Sequence, residues 1–297
     1  MIKTLIYNYN NYIGGADIFT KILKEVMERY YKVEFYYNDI NKVEGDIDII
    51  HNHNAFIGVS SHILTIHGMD VNRHLDFFYK TIEKSIITTC VSNYQKDYLE
   101  DSFKVNIDKV IYNFSDTYYY PKKNIPKEDI VVLFNSRFTM DKGIQYLLKF
   151  AYENPDITLM LATDVGDNNT NEELALFKKM IHLRNVKYVG MIKDREKYSE
   201  VLDLADFVLL PTKEDTCPIS AIDALLKGVP VITSDIESLE EFSSALIMVD
   251  FEKDDIRDII ENTPYSKIKE KIKSAHKLFS PKKNSLKYFE EYMKFVM

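Results

Sequence analysis

Two hydrophobic patterns alternate along this chain. Short apolar runs at Thr4–Tyr7, Asp48–His51, Ile63–Ile66, Ile86–Val91 and Lys109–Ile111 have the length and polar borders of buried strands. Between them, Ala16–Tyr30 and Asn93–Ser102 repeat apolar residues every three or four positions, the period of a helix with one buried face. Strands that alternate with helices predict parallel sheets in an α/β architecture.

The alternation breaks at Tyr120-Pro121-Lys122-Lys123-Asn124-Ile125-Pro126-Lys127, where two prolines among lysines read as a linker. It then restarts. Strands are predicted at Ile130–Asn135, Thr158–Ala162, Val186–Tyr188, Phe207–Leu210 and Pro230–Thr233. Helices are predicted at Ile144–Asn154, Asn171–His182, Tyr198–Ala205 and Ile219–Lys227, with a helical tail over 266–296 broken at Ser280-Pro281. The division expected is an N-terminal domain over 1–120, a second domain over 121–280 and a helix over 281–297 that crosses back to the first. Two open α/β domains in tandem would bind a ligand in the cleft between them, at the carboxyl ends of strands.

Composition narrows the class. At 297 residues, 45% hydrophobic and 28% charged, the chain should be globular. It has no apolar run of about 18 residues to span a bilayer, and Met1–Tyr7 reads as a first strand rather than a leader. The only cysteines, Cys90 and Cys217, lie far apart. They point to a reducing, cytoplasmic setting rather than a disulfide scaffold. No Cys/His spacing suits zinc, and the net charge of −8 argues against nucleic acid as a partner. The tail is the exception: Tyr265 to Met297 holds nine Lys and three Glu. It reads as a solvated helical face or as a peripheral contact for the inner face of an anionic membrane or an acidic acceptor.

The most informative stretch is Pro211–Val231. Asp215 and Asp223 stand eight residues apart, after an apolar strand and around a helix that should begin near Pro218. A helix start offers unpaired N–H groups and a positive dipole end, which suit phosphate. Carboxylates on either side could hold hydroxyls, as a nucleotide sugar would require. Gly14-Gly15 precedes a helix and permits close approach to phosphate, or forms a plain turn. His67 ends a strand, at a ligand rim or in an ordinary loop. His51 and His53 have a metal-like spacing but no carboxylate or cysteine partner. Asp46-Ile47-Asp48 lies at the wrong end of a strand for a site and reads as a solvated turn. Arg137 and Lys142, five apart across a loop, suit a diphosphate or are two surface cations.

In order along the chain, these segments resemble the retaining glycosyltransferases of family 4, which have the GT-B fold of two Rossmann-like domains with parallel sheets facing a cleft. Gly14-Gly15-Ala16-Asp17 is similar to that family's Gly-Gly-Ala-Glu loop. Asp48–Asn54, Thr65–Asp70 and Val110–Asp116 resemble its next landmarks. Arg137 to Gly143 resembles Arg-Leu-x-x-Glu-Lys-Gly, and 206–231 resembles the segment with two glutamates eight residues apart. The departures are aspartates at 215 and 223, Ser136 in place of Gly, and an N-terminal half short for the family.

The resemblance implies roles. Arg137 and Lys142 would neutralise the donor diphosphate, and Asp215 and His67 would face the donor sugar. Asp223 would hold the ribose. The N–H groups of Ile219 and Ser220 would meet phosphate, beside Cys217 and Pro218. Gly14, Gly15 and Ser136 would lie along the phosphates, and Gly190-Met191 near the nucleobase. The implied activity is metal-independent and cofactor-free: transfer of a sugar from a UDP or GDP sugar to a glycan, lipid-linked glycan or other hydroxyl, with an α-glycoside as product. The rival readings are an epimerase, phosphorylase or hydrolase on the same donor, a non-catalytic nucleotide-sugar-binding relative, and an enzyme that glycosylates nucleic acid.

Overall fold

A computed structural model describes residues 1–8, 15–38, 46–69, 71–116 and 129–297. Gly14, Asp70 and the Pro/Lys stretch at 120–127 lie outside the described residues. The chain divides into two compact units: Met1–Asp116 with Thr216–Ile219 and Leu278–Met297, and Thr117–Asp215 with Ser220–Lys277.

The first unit runs β1 (Ile2–Tyr7), α1 (Gly15–Tyr30), β2 (Val33–Tyr37), β3 (Ile49–Asn52), β4 (Ser61–Ile66), α2 (Leu75–Glu83), β5 (Ser85–Cys90), α3 (Asn93–Phe103) and β6 (Lys109–Val110). Among the described residues its sheet has the order β2-β1-β3-β4-β5-β6, parallel throughout. Sequence order reverses beside β1, so the ends of β1 and β3 flank the point where such folds leave a crevice.

The second unit runs β7 (Val131–Phe134), α4 (Ile144–Glu153), β8 (Thr158–Leu161), α5 (Asn171–Ile181), β9 (Val186–Tyr188), α6 (Arg195–Leu204), β10 (Phe207–Leu210), α7 (Ile219–Lys227), β11 (Val231–Ser234), β12 (Ile247–Val249), α8 (Ile256–Asn262) and α9 (Tyr265–Leu278). Its parallel sheet has the order β9-β8-β7-β10-β11-β12 among the described residues. This is the doubly wound order, with its reversal between β7 and β10. Both units are therefore Rossmann-like. The central strand β10, Phe-Val-Leu-Leu, is buried at every position, as a parallel strand covered on both faces must be.

The last helix, α10 (Pro281–Val296), belongs to the first unit. Tyr288 and Tyr292 on it are fully buried in the cluster that holds Ile6, Phe19, Ile22 and Phe114. Packing of this buried stripe, more than intrinsic propensity, fixes the helix.

Among the α-helices and strands of the described residues, four were not predicted from the pattern: β2, α2, β12 and α8. β12 is a three-residue strand. α2 leaves Leu75, Phe77 and Tyr79 exposed, so its apolar residues do not mark one buried face. Helix α6 starts three residues before the expected Tyr198. The Asp194 side chain accepts from the Lys197 N–H at 2.9 Å and starts the helix there.

Candidate active site

At the carboxyl end of β7 the chain makes a short helical turn, Met140–Lys142, closed by Gly143 at φ 69°. Two features force this geometry. The Met140 N–H donates to Glu173 Oε1 at 2.9 Å, and Glu173 is itself fixed as the capping-box partner of Thr170 at the start of α5. A Cβ on Gly143 would stand 1.8 Å from the Pro211 carbonyl oxygen. Only glycine admits both the positive φ and this approach. Gly143→Ala is expected to destabilise the second unit by about 3 kcal/mol, the upper range for overpacking, read as a lowered urea midpoint. An unchanged midpoint would show that the Pro211 loop moves aside freely.

The turn buries Lys142, which is 8% exposed. Its ammonium lies 2.7 Å from the Glu214 carbonyl oxygen, 3.0 Å from Asp215 Oδ2 and 3.3 Å from Thr212 Oγ1. Three acceptors meet its three N–H bonds. Asp141 Oδ2 lies 3.7 Å from the same ammonium and 3.2 Å from Arg137 Nη2. The sequence spacing had suggested two cations five residues apart; the structure puts Asp141 against both. Arg137 is half exposed, whereas Lys142 is enclosed.

Asp223 sits on the second turn of α7 with its side chain 3% exposed. Its Oδ1 and Oδ2 accept from Arg195 Nη2 and Nη1 at 2.8 and 2.9 Å. The Arg195 guanidinium lies over the Tyr198 ring, 5.5 Å from its centre. The Tyr198 hydroxyl in turn accepts from Asn135 Nδ2 at the end of β7, and that amide also donates to the Ser220 carbonyl. Sequence reasoning missed Arg195, Tyr198 and Asn135. Arg195 lies in the polar run Lys193–Lys197, where nothing in the residue pattern singles it out.

In the first unit, His51 and His53 lie on one face of the chain with ring centres 4.1 Å apart, yet they have different partners. His51 is wholly buried between the Tyr292 hydroxyl and Thr65 Oγ1, each 2.8 Å from a ring nitrogen. His53 Nδ1 lies 2.8 Å from His67 Nε2, and the two rings stack. Burial pushes His51 and His67 down to about 3, and pushes His53 well below the ordinary histidine range. All three are therefore neutral at pH 7. Among the described residues, no cluster of His, Cys, Asp and Glu could hold a metal ion. His53 and His67 line a small pocket with Ala55, Phe56, Ile66, Gly68 and Val71.

The other expected site residues fall as follows. Gly15 is the exposed first residue of α1, with open space where a Cβ would lie. Ser136 and Met191 are partly buried, and Gly190 adopts φ 73° after β9. Cys217 is a buried free thiol, and its carbonyl accepts from Asn113 Nδ2 at 2.8 Å. Thr216 donates to the His67 carbonyl at 3.2 Å. Thus 216–219, before and into α7, pack with the first unit. Pro218 and Ser220 are partly buried and Ile219 is buried. Asp48 is not a merely solvated turn residue: its Oδ2 accepts from the Lys3 N–H at 2.8 Å and ties β3 to β1.

The basic tail is partly explained by packing. Glu291, 3% exposed, accepts from Lys109 at 2.7 Å and Lys294 at 2.6 Å. Lys271 donates to the Ser243 carbonyl. Among the described residues, no helix is long and apolar enough to cross a membrane.

Two Rossmann-like units, each with its sequence reversal at the strand ends that carry these side chains, define a protein of the GT-B class. Comparison with solved structures agrees. Sucrose-phosphate synthase from Thermosynechococcus elongatus matches with a TM-score of 0.80 at 16% identity, covering 100% of this chain and 99% of that one. HepE from Anabaena, solved in complex with UDP and glucose, matches with a TM-score of 0.75 at 16% identity, over 98% and 99%. Residues 118–274, more than half of the chain, match the family described as glycosyl transferases group 1. The chain belongs to that family. A curated relative, an uncharacterized 41.2 kDa protein in the cps region of Klebsiella pneumoniae, is 31% identical over 123 residues. That alignment spans 41% of this chain and 32% of the relative.

Proposed function

We propose that the protein is a retaining glycosyltransferase that moves a sugar from a nucleoside-diphosphate sugar to an acceptor hydroxyl. The observation that carries this reading is the enclosed Lys142–Asp215 pair, 3.0 Å apart at the switch point of the second sheet. A fixed cation there, with the start of α7, suits a leaving group that gains charge. HepE's complex with UDP and glucose supports a UDP sugar as donor.

In the reaction, the bond from the sugar's anomeric carbon to the diphosphate oxygen breaks and takes its electron pair to the diphosphate. The acceptor oxygen attacks the same face of that carbon and forms an α-glycoside. The acceptor proton passes to a donor phosphate oxygen. Lys142 and Arg137 oppose the charge on the leaving diphosphate, and the N–H groups of Ile219 and Ser220 meet phosphate. Asp215 and His67 contact the sugar, with His67 neutral and able to donate or accept one hydrogen bond. Gly190-Met191 borders the nucleobase. The acceptor is a glycan, a lipid-linked glycan or another hydroxyl compound.

A thermal-shift panel of UDP, GDP, ADP, CDP and TDP and their sugars tests the donor. A ligand at 100 times its Kd should stabilise by about 2.7 kcal/mol, and no shift with any member would reject the reading. Turnover is expected to be unchanged in excess chelator. Loss restored by added Mg²⁺ would overturn the metal-independent mechanism.

A further inference from the structure

We infer that His53 is a positioning residue: it fixes the tautomer of His67, so that His67 offers an N–H at Nδ1 and has no free lone pair. This rests on the reading that sets His67 against the donor sugar, and it adds which half of a hydrogen bond His67 supplies there.

β3 and β4 are neighbouring parallel strands, with Asn52 beside Leu64. Their carboxyl ends lie side by side, and His53 and His67 follow just beyond them. Both are held in place. The His53 N–H donates to the Tyr7 carbonyl at 2.7 Å. The His67 carbonyl accepts from Thr216 Oγ1 at 3.2 Å, and the Gly68 carbonyl accepts from Gln95 Nε2 at 2.8 Å. The fully buried Phe19 ring packs against both imidazoles, 6.1 and 5.4 Å between centres. The 2.8 Å approach of His53 Nδ1 to His67 Nε2 is thus a fixed contact.

Only one proton can occupy that contact. Burial keeps both rings neutral at pH 7, so each carries a single N–H. Two arrangements remain. In the first, His67 Nε2–H donates to His53 Nδ1, and the His53 proton must sit on Nε2. That atom is buried and has no hydrogen-bond partner among the described residues. The adjacent His51 cannot supply one, because Tyr292 and Thr65 occupy its two nitrogens. The first arrangement therefore leaves an N–H unpaired inside the unit. In the second, His53 Nδ1–H donates to His67 Nε2, and what stays unpaired on His53 is a lone pair. Buried donors are left unpaired more rarely than buried acceptors, which selects the second. The proton of His67 then stands on Nδ1, the nitrogen that His53 does not touch. Its one lone pair is taken, so His67 donates to a sugar oxygen and cannot act as a base. This agrees with a reaction in which a donor phosphate oxygen receives the acceptor proton.

Long-range ¹H–¹⁵N correlation spectra of protein labelled with ¹⁵N-histidine, at pH 7.5, read the tautomer directly. His67→Gln identifies the His67 signals among the seven histidines. Wild-type His67 is expected to carry its proton on Nδ1. His53→Leu should move it to Nε2, the form histidine prefers in water. It should also lower kcat by about tenfold, the worth of one hydrogen bond, at a temperature where the variant is folded. The rate is that of donor cleavage, using the nucleotide sugar that stabilises the wild-type protein most. His53→Asn places an amide N–H near the position of Nδ1–H, and should keep both the Nδ1–H form and most of kcat. Wild-type His67 protonated on Nε2, or on both nitrogens, would overturn the proposal. So would a folded His53→Leu with the tautomer or kcat unchanged. If His53→Leu does not fold, the wild-type spectrum and His53→Asn decide. The spectra require no donor and no turnover. If His67→Gln turns over like the wild type, the reading that sets His67 at the sugar falls, while the tautomer assignment is judged by the spectra alone.

Discussion

Lys142→Ala is expected to lower kcat/KM by roughly 10²–10³-fold, the cost of removing one preorganised group that stabilises developing charge. The geometry makes the experiment decisive only if stability is measured alongside. The Lys142 ammonium is satisfied by Glu214, Asp215 and Thr212. It is thus a clasp for the loop after β10 as well as a charge. Removing it leaves Asp215, about a fifth exposed, without this partner. Solvent screens part of that loss, so about 1–2 kcal/mol of stability should go with it. If Lys142 were only a clasp, activity would recover wherever the variant is fully folded, for instance on cooling. If its charge serves the diphosphate, the loss persists there. Near-wild-type kcat/KM at saturating acceptor and at a temperature below the variant's unfolding transition would remove Lys142 from the mechanism. Lys142→Arg should be intermediate: it keeps the charge but brings a wider, forked head into a space shaped for three converging acceptors.

How far the sequence anticipated this arrangement depends on what kind of signal each part leaves. Strands such as β10 were legible because burial on both faces demands an uninterrupted apolar run. β12 and β2 were not: the first is too short, and in the second Glu34 and three aromatic residues blur the pattern. The Lys142 turn was legible as a loop with two cations and a glycine. Nothing in the spacing revealed that Asp141 would stand between them, or that Gly143 is required by the Pro211 carbonyl. The two aspartates were identified as a pair at a helix start, but their partners differ in kind. Asp215 meets Lys142, which the sequence had singled out. Asp223 meets Arg195, which it had not, because Arg195 lies 28 residues earlier on another helix and only the doubly wound topology brings α6 and α7 together. His51 and His53 show the opposite limit. Their spacing was visible and metal-like, though with no carboxylate or cysteine partner, and strand register places one against Tyr292 of the last helix and the other against His67. Long-range pairings of this sort are set by the fold, and no local pattern carries them.

Those histidines predict steep acid sensitivity of the first unit. In the folded chain, burial holds His51 and His67 down to about 3 and His53 well below its ordinary value, whereas in the unfolded chain each titrates near 6.5. The sign follows directly. Above pH 6.5 both states are neutral and nothing is lost. As pH falls from 6.5 toward 3, the unfolded chain takes up protons that the folded chain refuses, and stability declines. His51 and His67 each cost about 1.4 kcal/mol per pH unit once the unfolded form is fully charged, roughly 3 kcal/mol per unit together, and His53 acts in the same direction. Between pH 7 and pH 5 the loss from these two alone reaches roughly 4 kcal/mol, a large share of the stability of a typical domain. Glu173 and Glu291, which hydrogen bonds hold below their usual range against the opposing effect of burial, add their losses only below about pH 4.5. A decline above pH 5 is thus specific to histidine. The measurement is the unfolding transition by circular dichroism from pH 7.5 to 5.0. His53→Asn keeps a polar group near His67 but does not titrate. It should reduce the slope without abolishing it, because His51, His67, His62 and His276 are also held low by burial, even if it starts from a lower Tm. A Tm that stays level over this interval, or a slope unchanged in His53→Asn, would mean that these rings can be protonated in the folded state.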